Sequence, residues 1–354
     1  NCLLFSDGAT VSRPRGIAWG HWEGAVTRRA GVALAVQGGP QGLPTPGEPD
    51  QREGSPMASL SQQRGSDVVI GDEDWSGPRV LDARLQPGRS PRVMRLLLAD
   101  GGVAWLKDHE GGRAEAGHEH AALSAVGRLL GRRVVPSVLH HDTARGRLLL
   151  SDVSRGQRSV LERTVARQVS PTDAFRLGHA LGQLHRAGEE APLRSLLPDG
   201  AAQASRWRSR IETAVPEAAG LLRESERFNA ALIHGDPSPD DFYVAEHDLR
   251  FVDLEQAGAG DPARDLGLLL ARWLQSGADM DLIAPFLRAY PDNDAALLNR
   301  AARYAGLAVV LSERQKPAAD ADRLDLGRRL IETTTTPITS ALRAFSYFLT
   351  PRAA

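Results

Sequence analysis

Ile233-His234-Gly235-Asp236 sets a carboxylate at the end of a short apolar run, and Asp240 and Asp241 follow closely. Phe251-Val252-Asp253-Leu254-Glu255 then repeats the apolar-then-acid pattern. Two buried strands that each end in an aspartate bring acidic groups to the mouth of a site. Asp236 and Asp253, 17 residues apart and expected on adjacent strands, could hold a divalent cation or divide base and metal duties. Either aspartate taken alone reads as a hairpin-end residue that satisfies turn N–H groups. A third group draws notice by its rarity. Of 43 basic residues only Lys107 and Lys316 are lysine, so arginine is the default cation here. A surviving lysine points to a place that needs a compact ammonium rather than a guanidinium fork.

The elements that must position these groups follow from apolar periodicity. From about residue 79 apolar runs alternate with Pro-Gly and Asp-Gly-Gly breaks, and Asp100-Gly101-Gly102 is a hairpin turn. The strand after it, 103–108, carries Lys107. Residues 115–131 have a helical face of Ala122, Val126, Leu129 and Leu130 closed by Gly131. The next segment reads as strand, turn, strand, which makes 79–150 a small, mostly antiparallel α+β unit. Beyond 150 the chain is helical. Residues 170–188 open with a Ser170 N-cap and Pro171 at the first position, with Phe175, Leu177, Leu181 and Leu184 as the apolar face. Helices are also expected over 203–224, 262–276, 280–290, 294–314 and 322–346, and short strands at "AALIHGD" and "LRFVDLE".

The totals narrow the classes of function. A chain of 354 residues with a formal charge of −1 fits two domains and gives no support to nucleic-acid or anionic-membrane binding. A single cysteine, Cys2, rules out an internal disulfide framework or a cysteine-based zinc site and suits a reducing, cytoplasmic setting. No apolar run reaches transmembrane length, and residues 2–5 are too short for a signal-peptide core. Residues 1–56 contain 16 Gly or Pro and read as a disordered extension. A Glu-Gly pair shortly before Met57 fits a translated ribosome-binding stretch, which makes Met57 the expected biological start. The expected division is thus 1–56 extension, 57–150 N-lobe and 151–354 C-lobe.

Read whole, His234-x-Asp236, Asp241, Asp253 and Gly260-Asp261-Pro262-x-x-Asp265-Leu266 resembles the aminoglycoside phosphotransferase and choline kinase family. The resemblance covers about residues 79–315 and implies the two-lobed protein-kinase-like fold: an α+β chain with a small antiparallel-sheet N-lobe bearing one helix and a larger, mostly helical C-lobe. It implies a phosphotransferase that uses ATP and Mg2+ on a small-molecule hydroxyl substrate. Asp236 then stands at the position of the catalytic base, and Asp241 and Asp253 at the metal-ligand positions. Lys107 matches the phosphate-binding lysine. Glu119 matches its helix partner, with Glu115 the competing candidate a turn earlier. His234, Asp261 and Asp265 take structural places, and Pro262 fits a helix start independently. Residues 87–95 occupy the place of the phosphate-covering hairpin, where Ser90 donates to a phosphate or serves plain turn chemistry. Residues 148–153, with Ser151 and Val153, match the link between lobes that meets the adenine edge.

The family asparagine is replaced by Asp241. An aspartate keeps the oxygen ligand, loses the amide donor and adds a charge. Two carboxylates ~4 Å apart repel by about 4 kcal/mol at an effective dielectric of ~20, so the site is expected to need metal or to hold raised carboxylate pKa values. The alternative function is a nucleotide-binding pseudokinase with weak or no transfer. Residues 279–332 hold nine acidic and eight basic residues. That balance is not the acidic pocket a polycationic aminoglycoside would need, so a sugar or amino alcohol is equally open. Trp273 and Tyr304 are candidates to shape the acceptor pocket, with the core as the commoner place for such residues.

Overall fold

The computed structural model describes residues 78, 80–86, 92–109, 111–189, 192–198, 200–228, 231–244, 249–291, 293–335 and 337–349. The expectations for 1–56, Met57 and Ser90 lie outside the described residues.

The small lobe is one antiparallel sheet. Its strands are β1 (Val80–Gln86), β2 (Arg92–Leu98), β3 (Val103–Asp108), β4 (Val138–Asp142) and β5 (Arg147–Ser151), in the spatial order β1-β2-β3-β5-β4. Gly101, with φ 82°, makes the β2–β3 turn, a conformation that costs glycine little. Side chains alternate across a strand. On β3, Ala104 and Leu106 pack with Met94, Leu96, Leu98 and Leu149 on one face. Trp105 and Lys107 therefore point to the other face, where helix α1 (Arg113–Leu130) packs through Ala116, Ala122, Leu123, Ala125 and Val126. Strand parity alone thus aims Lys107 at the helix.

The large lobe is mostly helical. Its elements are α2 (Val160–Val165), α3 (Pro171–Glu189), α4 (Leu193–Leu196), α5 (Gly200–Ala214), α6 (Ala219–Ser225), α7 (Pro262–Gln275), α8 (Ile283–Ala289), α9 (Ala295–Arg314), α10 (Ala321–Glu332) and α11 (Ile338–Leu349). Two small antiparallel ladders lie among them. One pairs β6 (Ala231–Ile233) with β9 (Gly258–Gly260); the other pairs β7 (Phe242–Val244) with β8 (Leu249–Phe251). Helix α7 is buried nearly all round, with Leu266, Leu268, Leu269, Leu270 and Trp273 at 1% exposure or less, and each such side chain stabilises by about 1.5–3 kcal/mol. It packs on α9 at Gly267, where a Cβ would meet the Ala301 carbonyl oxygen at 2.2 Å. No described helix is long and apolar enough to cross a membrane.

Four expectations change. The helix expected over 203–224 breaks at Pro216, which lacks an N–H and forces Val215 out of the helical region (φ −139°). The helix expected over 322–346 splits before Pro337, after a run of β-branched threonines. Phe175 is exposed, so the buried face of α3 consists of Leu177, Leu181 and Leu184. Asp236 and Asp253 do not follow adjacent strands, because β6 pairs with β9 and β8 pairs with β7. A side-chain bond does the joining instead: His234 Nε2 donates to the Val252 carbonyl at 2.9 Å.

Candidate active site

Lys107 is 5% exposed. Its ammonium lies 2.8 Å from Glu119 Oε2, 3.0 Å from Glu255 Oε2, and in contact with Asp253 Oδ1. Burial alone would lower its pKa. The charges of Asp253, Glu119 and Glu255 outweigh that and hold the ammonium well above the usual lysine range. Burial likewise opposes ionisation of Glu119, but Lys107 and His109 keep its carboxyl below the ordinary value. Glu255 goes the other way: burial, together with the nearby charges of Asp253 and Glu119, pushes it up to about 7. Glu115, the competing partner for Lys107, instead accepts the Gly111 N–H at 2.9 Å.

Asp253 sits at the end of the run that continues β8, with φ 65° and ψ 50°. That left-handed conformation costs a non-glycine residue roughly 1–2 kcal/mol, and aspartate tolerates it better than most. It turns the carboxylate to Lys107. The segment after it is held from two more sides. His118 Nε2 on α1 lies 2.7 Å from the Ala257 carbonyl oxygen, and Gln203 Nε2 on α5 donates to the Glu255 carbonyl at 2.9 Å.

The Asp236 loop is fixed from beneath. Asp265, on the first turn of α7 and fully buried, accepts the N–H groups of His234 at 2.7 Å and Gly235 at 2.9 Å. His185 Nε2 lies 3.0 Å from the same carboxylate, and its Nδ1 lies 2.6 Å from the Tyr290 hydroxyl. Burial opposes ionisation of Asp265, yet these partners hold its carboxyl below the ordinary range. Gly235 has φ 91°, and a Cβ there would meet the Gln256 carbonyl oxygen at 2.0 Å, so no other residue passes this point without displacement. Asp261 caps α7 by accepting the Ala263 N–H at 3.0 Å and is gripped by Arg300 Nε at 2.9 Å.

The clamp makes a pH-dependent contribution to stability. Asp265→Asn turns an amide NH2 or a weaker oxygen towards groups that are all donors, and is expected to cost about 3 kcal/mol through lost charge-assisted bonds and an unsatisfied donor. A carboxylate whose folded pKa is depressed stabilises above its unfolded pKa and loses that contribution as pH falls. The gap in thermal midpoint between parent and variant should therefore be constant above about pH 5 and shrink below about pH 4. Circular-dichroism melts across that range would measure it.

Asp236 itself is half exposed and meets Arg272, which projects from α7. Arg272 Nη2 is 2.6 Å from Asp236 Oδ1, while Nη1 donates to the carbonyls of Asp236 at 3.0 Å and Pro237 at 2.8 Å. Asp241 is buried, and its Oδ2 accepts the Ser238 N–H at 2.7 Å. Asp240 accepts the Ser159 hydroxyl at 3.0 Å, which ties the loop to the start of α2. Asp236, Asp240 and Asp241 are thus separated onto different partners, while Asp253 and Glu255 remain crowded with Glu119 around Lys107.

The lobe link is more committed than the resemblance implies. Ser151 Oγ accepts the Ser137 N–H at 2.9 Å and the Ser151 N–H donates to the Ser137 carbonyl at 2.9 Å. The Val153 carbonyl accepts from Arg250 Nη1 at 2.5 Å. The β4–β5 hairpin and the buried Arg250 thus use the Ser151 hydroxyl, the Ser151 N–H and one acceptor position of the Val153 carbonyl. Trp273 and Tyr304 are core residues, the Trp273 Nε1 donating to Thr164 Oγ1 at 2.8 Å, so neither forms a pocket wall.

Sequence reasoning did not assign His109, Arg272 or a role for Glu255. Signals were present. His109 lies two residues past Lys107, continuing the parity of Trp105 and Lys107. Arg272 lies seven residues past Asp265, on the same helical face. Glu255 lies two past Asp253.

Residues 83–299, more than half of the chain, match the family model described as the phosphotransferase enzyme family. No curated protein matches. Among solved structures, the chain is similar to a choline/ethanolamine kinase family protein from Mesorhizobium loti. The identity is 22% and the TM-score 0.50, over 78% of this chain and 94% of that one. It is similar to choline kinase LicA from Streptococcus pneumoniae at 14% identity and a TM-score of 0.50, over 75% and 94% of the two chains. It is also similar to the amicoumacin kinase hAmiN, solved with AMP-PNP, Ca2+ and Ami, at 13% identity and a TM-score of 0.51, over 74% and 91%. At these identities the likeness is one of fold.

Proposed function

This chain belongs to the phosphotransferase enzyme family, and from that premise we propose that it transfers the γ-phosphoryl group of ATP to a hydroxyl of a small molecule. The observation that carries the reading is the meeting of Lys107 from the small lobe with Asp253 from the large one, beside a loop that presents Asp236. Phosphoryl transfer is mainly positioning and charge neutralisation, and this arrangement does both.

The residues divide the work as follows. Lys107 offers its ammonium to the phosphate oxygens, exchanging one of its three carboxylate partners for the nucleotide. Glu119, the most buried of the three, stays and keeps the lysine on the helix side. Asp236 Oδ2, the oxygen not held by Arg272, accepts the proton of the acceptor hydroxyl. Asp241 and Asp253 are the residues that would hold magnesium. Their all-oxygen donor set suits a hard cation, and the Asp253 side chain is 36% exposed. Magnesium bound there supplies neutralisation of the phosphate charge. With ATP as donor, the reading carries a cytoplasmic location. The acceptor is a sugar, an amino alcohol or an aminoglycoside-like compound, and the even charge of 279–332 favours none of them.

ATP at 100 times its Kd adds about 2.7 kcal/mol, a rise in thermal midpoint on the order of 5–10 °C. That rise should appear with ATP and magnesium together and be smaller with ATP alone. ATP consumption should then be found with at least one compound of a hydroxyl-metabolite and aminoglycoside panel. A second reading, nucleotide binding without transfer, is favoured by Asp241 in the asparagine position and by Arg272 closed on Asp236. A midpoint rise with no transfer to any compound would select it.

A further inference from the structure

We propose that His109, Glu119 and Glu255 form a binding site for a borderline divalent cation of the zinc or manganese type, separate from the Asp241 and Asp253 positions. The site stands on the geometry of His109 and holds whether or not the chain transfers phosphate.

The three side chains come from three elements: His109 directly follows β3, Glu119 lies on α1, and Glu255 lies just past Asp253. One ligand atom from each falls within 4.8 Å of the others. His109 is 4% exposed, and its Nδ1 is buried with no hydrogen-bond partner. That nitrogen lies 4.0 Å from Glu255 Oε2. The gap is too long for a hydrogen bond, and a small inward turn of either side chain would bring the two atoms to the spacing of neighbouring ligands on one ion. On the other side of the ring, Nε2 lies 2.9 Å from Glu119 Oε2. A neutral imidazole carries one N–H and one lone pair. Neither ring nitrogen makes a hydrogen bond of acceptable geometry, nor does Glu119 Oε2, so whichever nitrogen carries the lone pair faces a carboxylate, and a cation placed there satisfies both.

Charge points the same way. One ammonium, Lys107, faces the three carboxylates of Glu119, Asp253 and Glu255. The carboxylates outnumber the ammonium, and a divalent ion beside Glu119 and Glu255 would offset the excess. The donor set is an imidazole nitrogen with two carboxylates. That suits a borderline ion, unlike the oxygen-only pair at Asp241 and Asp253. Lys107 and the ion share the oxygens of Glu119 and Glu255, so occupation leaves the ammonium resting mainly on Asp253.

Equilibrium dialysis with Zn2+ and with Mn2+, without nucleotide, tests the site on the full chain. One ion should bind per chain. His109→Gln should weaken it at least tenfold while the metal-free thermal midpoint stays near the parent's, and Asp241→Asn should leave it unchanged. Equal binding by His109→Gln, or loss in Asp241→Asn alone, would overturn the proposal, as would absence of binding by the parent. If His109→Gln fails to fold, X-ray absorption of the zinc-loaded parent decides. An imidazole in the metal's shell supports the site, and an all-oxygen shell refutes it.

Discussion

Asp236→Asn should lower kcat by about two to four orders of magnitude, the usual worth of a positioned general base, while nucleotide affinity changes less than about threefold. The design of the loop makes this a clean test. Arg272 holds the segment through the carbonyls of Asp236 and Pro237 as well as through the carboxylate. Asparagine keeps a similar shape, so two of the three Arg272 contacts survive. The clamp from Asp265 to the N–H groups of His234 and Gly235 is untouched. What disappears is the acceptor for a proton. Single-turnover kinetics with saturating ATP, beside a direct binding titration, separate the two quantities. Full retention of kcat would remove Asp236 as the base; loss of binding in parallel with rate would show that the substitution disturbs the nucleotide site instead.

Lys107→Met should destabilise the protein by about 3–5 kcal/mol, the cost of removing one partner from a buried ion pair. For a lobe pair of this size that is a fall in thermal midpoint on the order of 10 °C. Methionine fills much the same space, so packing is not the cause. The cause is that Glu119, wholly buried, loses the cation which holds its carboxyl ionised. Adding Glu119→Gln to the variant should return part of the loss, because the orphaned charge goes with it. A double-mutant cycle by thermal or denaturant unfolding should read a coupling of roughly 1–3 kcal/mol. Nucleotide affinity should fall with Lys107→Met and should not return in the double variant, since the phosphate contact is still absent. Additive effects on stability would contradict the ion-pair account.

The sequence alone determined the local half of this site. Period-two alternation in 103–108 is enough to aim Lys107 away from Ala104 and Leu106. Gly235 and the Asp261-Pro262 start of α7 are readable because backbone conformation at those points depends on the residue itself. The spacing of His234, Asp236, Asp253 and Asp265 was legible for the same reason: short loops and strand ends set it within a few residues. The breaks at Pro216 and Pro337 were equally local and were available to a closer reading.

Tertiary structure decided which charged group meets which. Lys107 and Asp253 are 146 residues apart, and no periodicity links them. Arg272 reaches Asp236 only because α7 passes beneath the loop, and Asp265 on the same helix sets the distance. His109 and Glu255 face each other only because the 253–257 segment is held against α1 and α5 by His118 and Gln203. The pairing of β6 with β9 rather than with β8 has the same origin. Strand partners and side-chain ends are chosen by packing across the whole chain, where an error of a few ångströms exchanges one ion pair for another, while the sequence pattern records only the direction in which each side chain sets out.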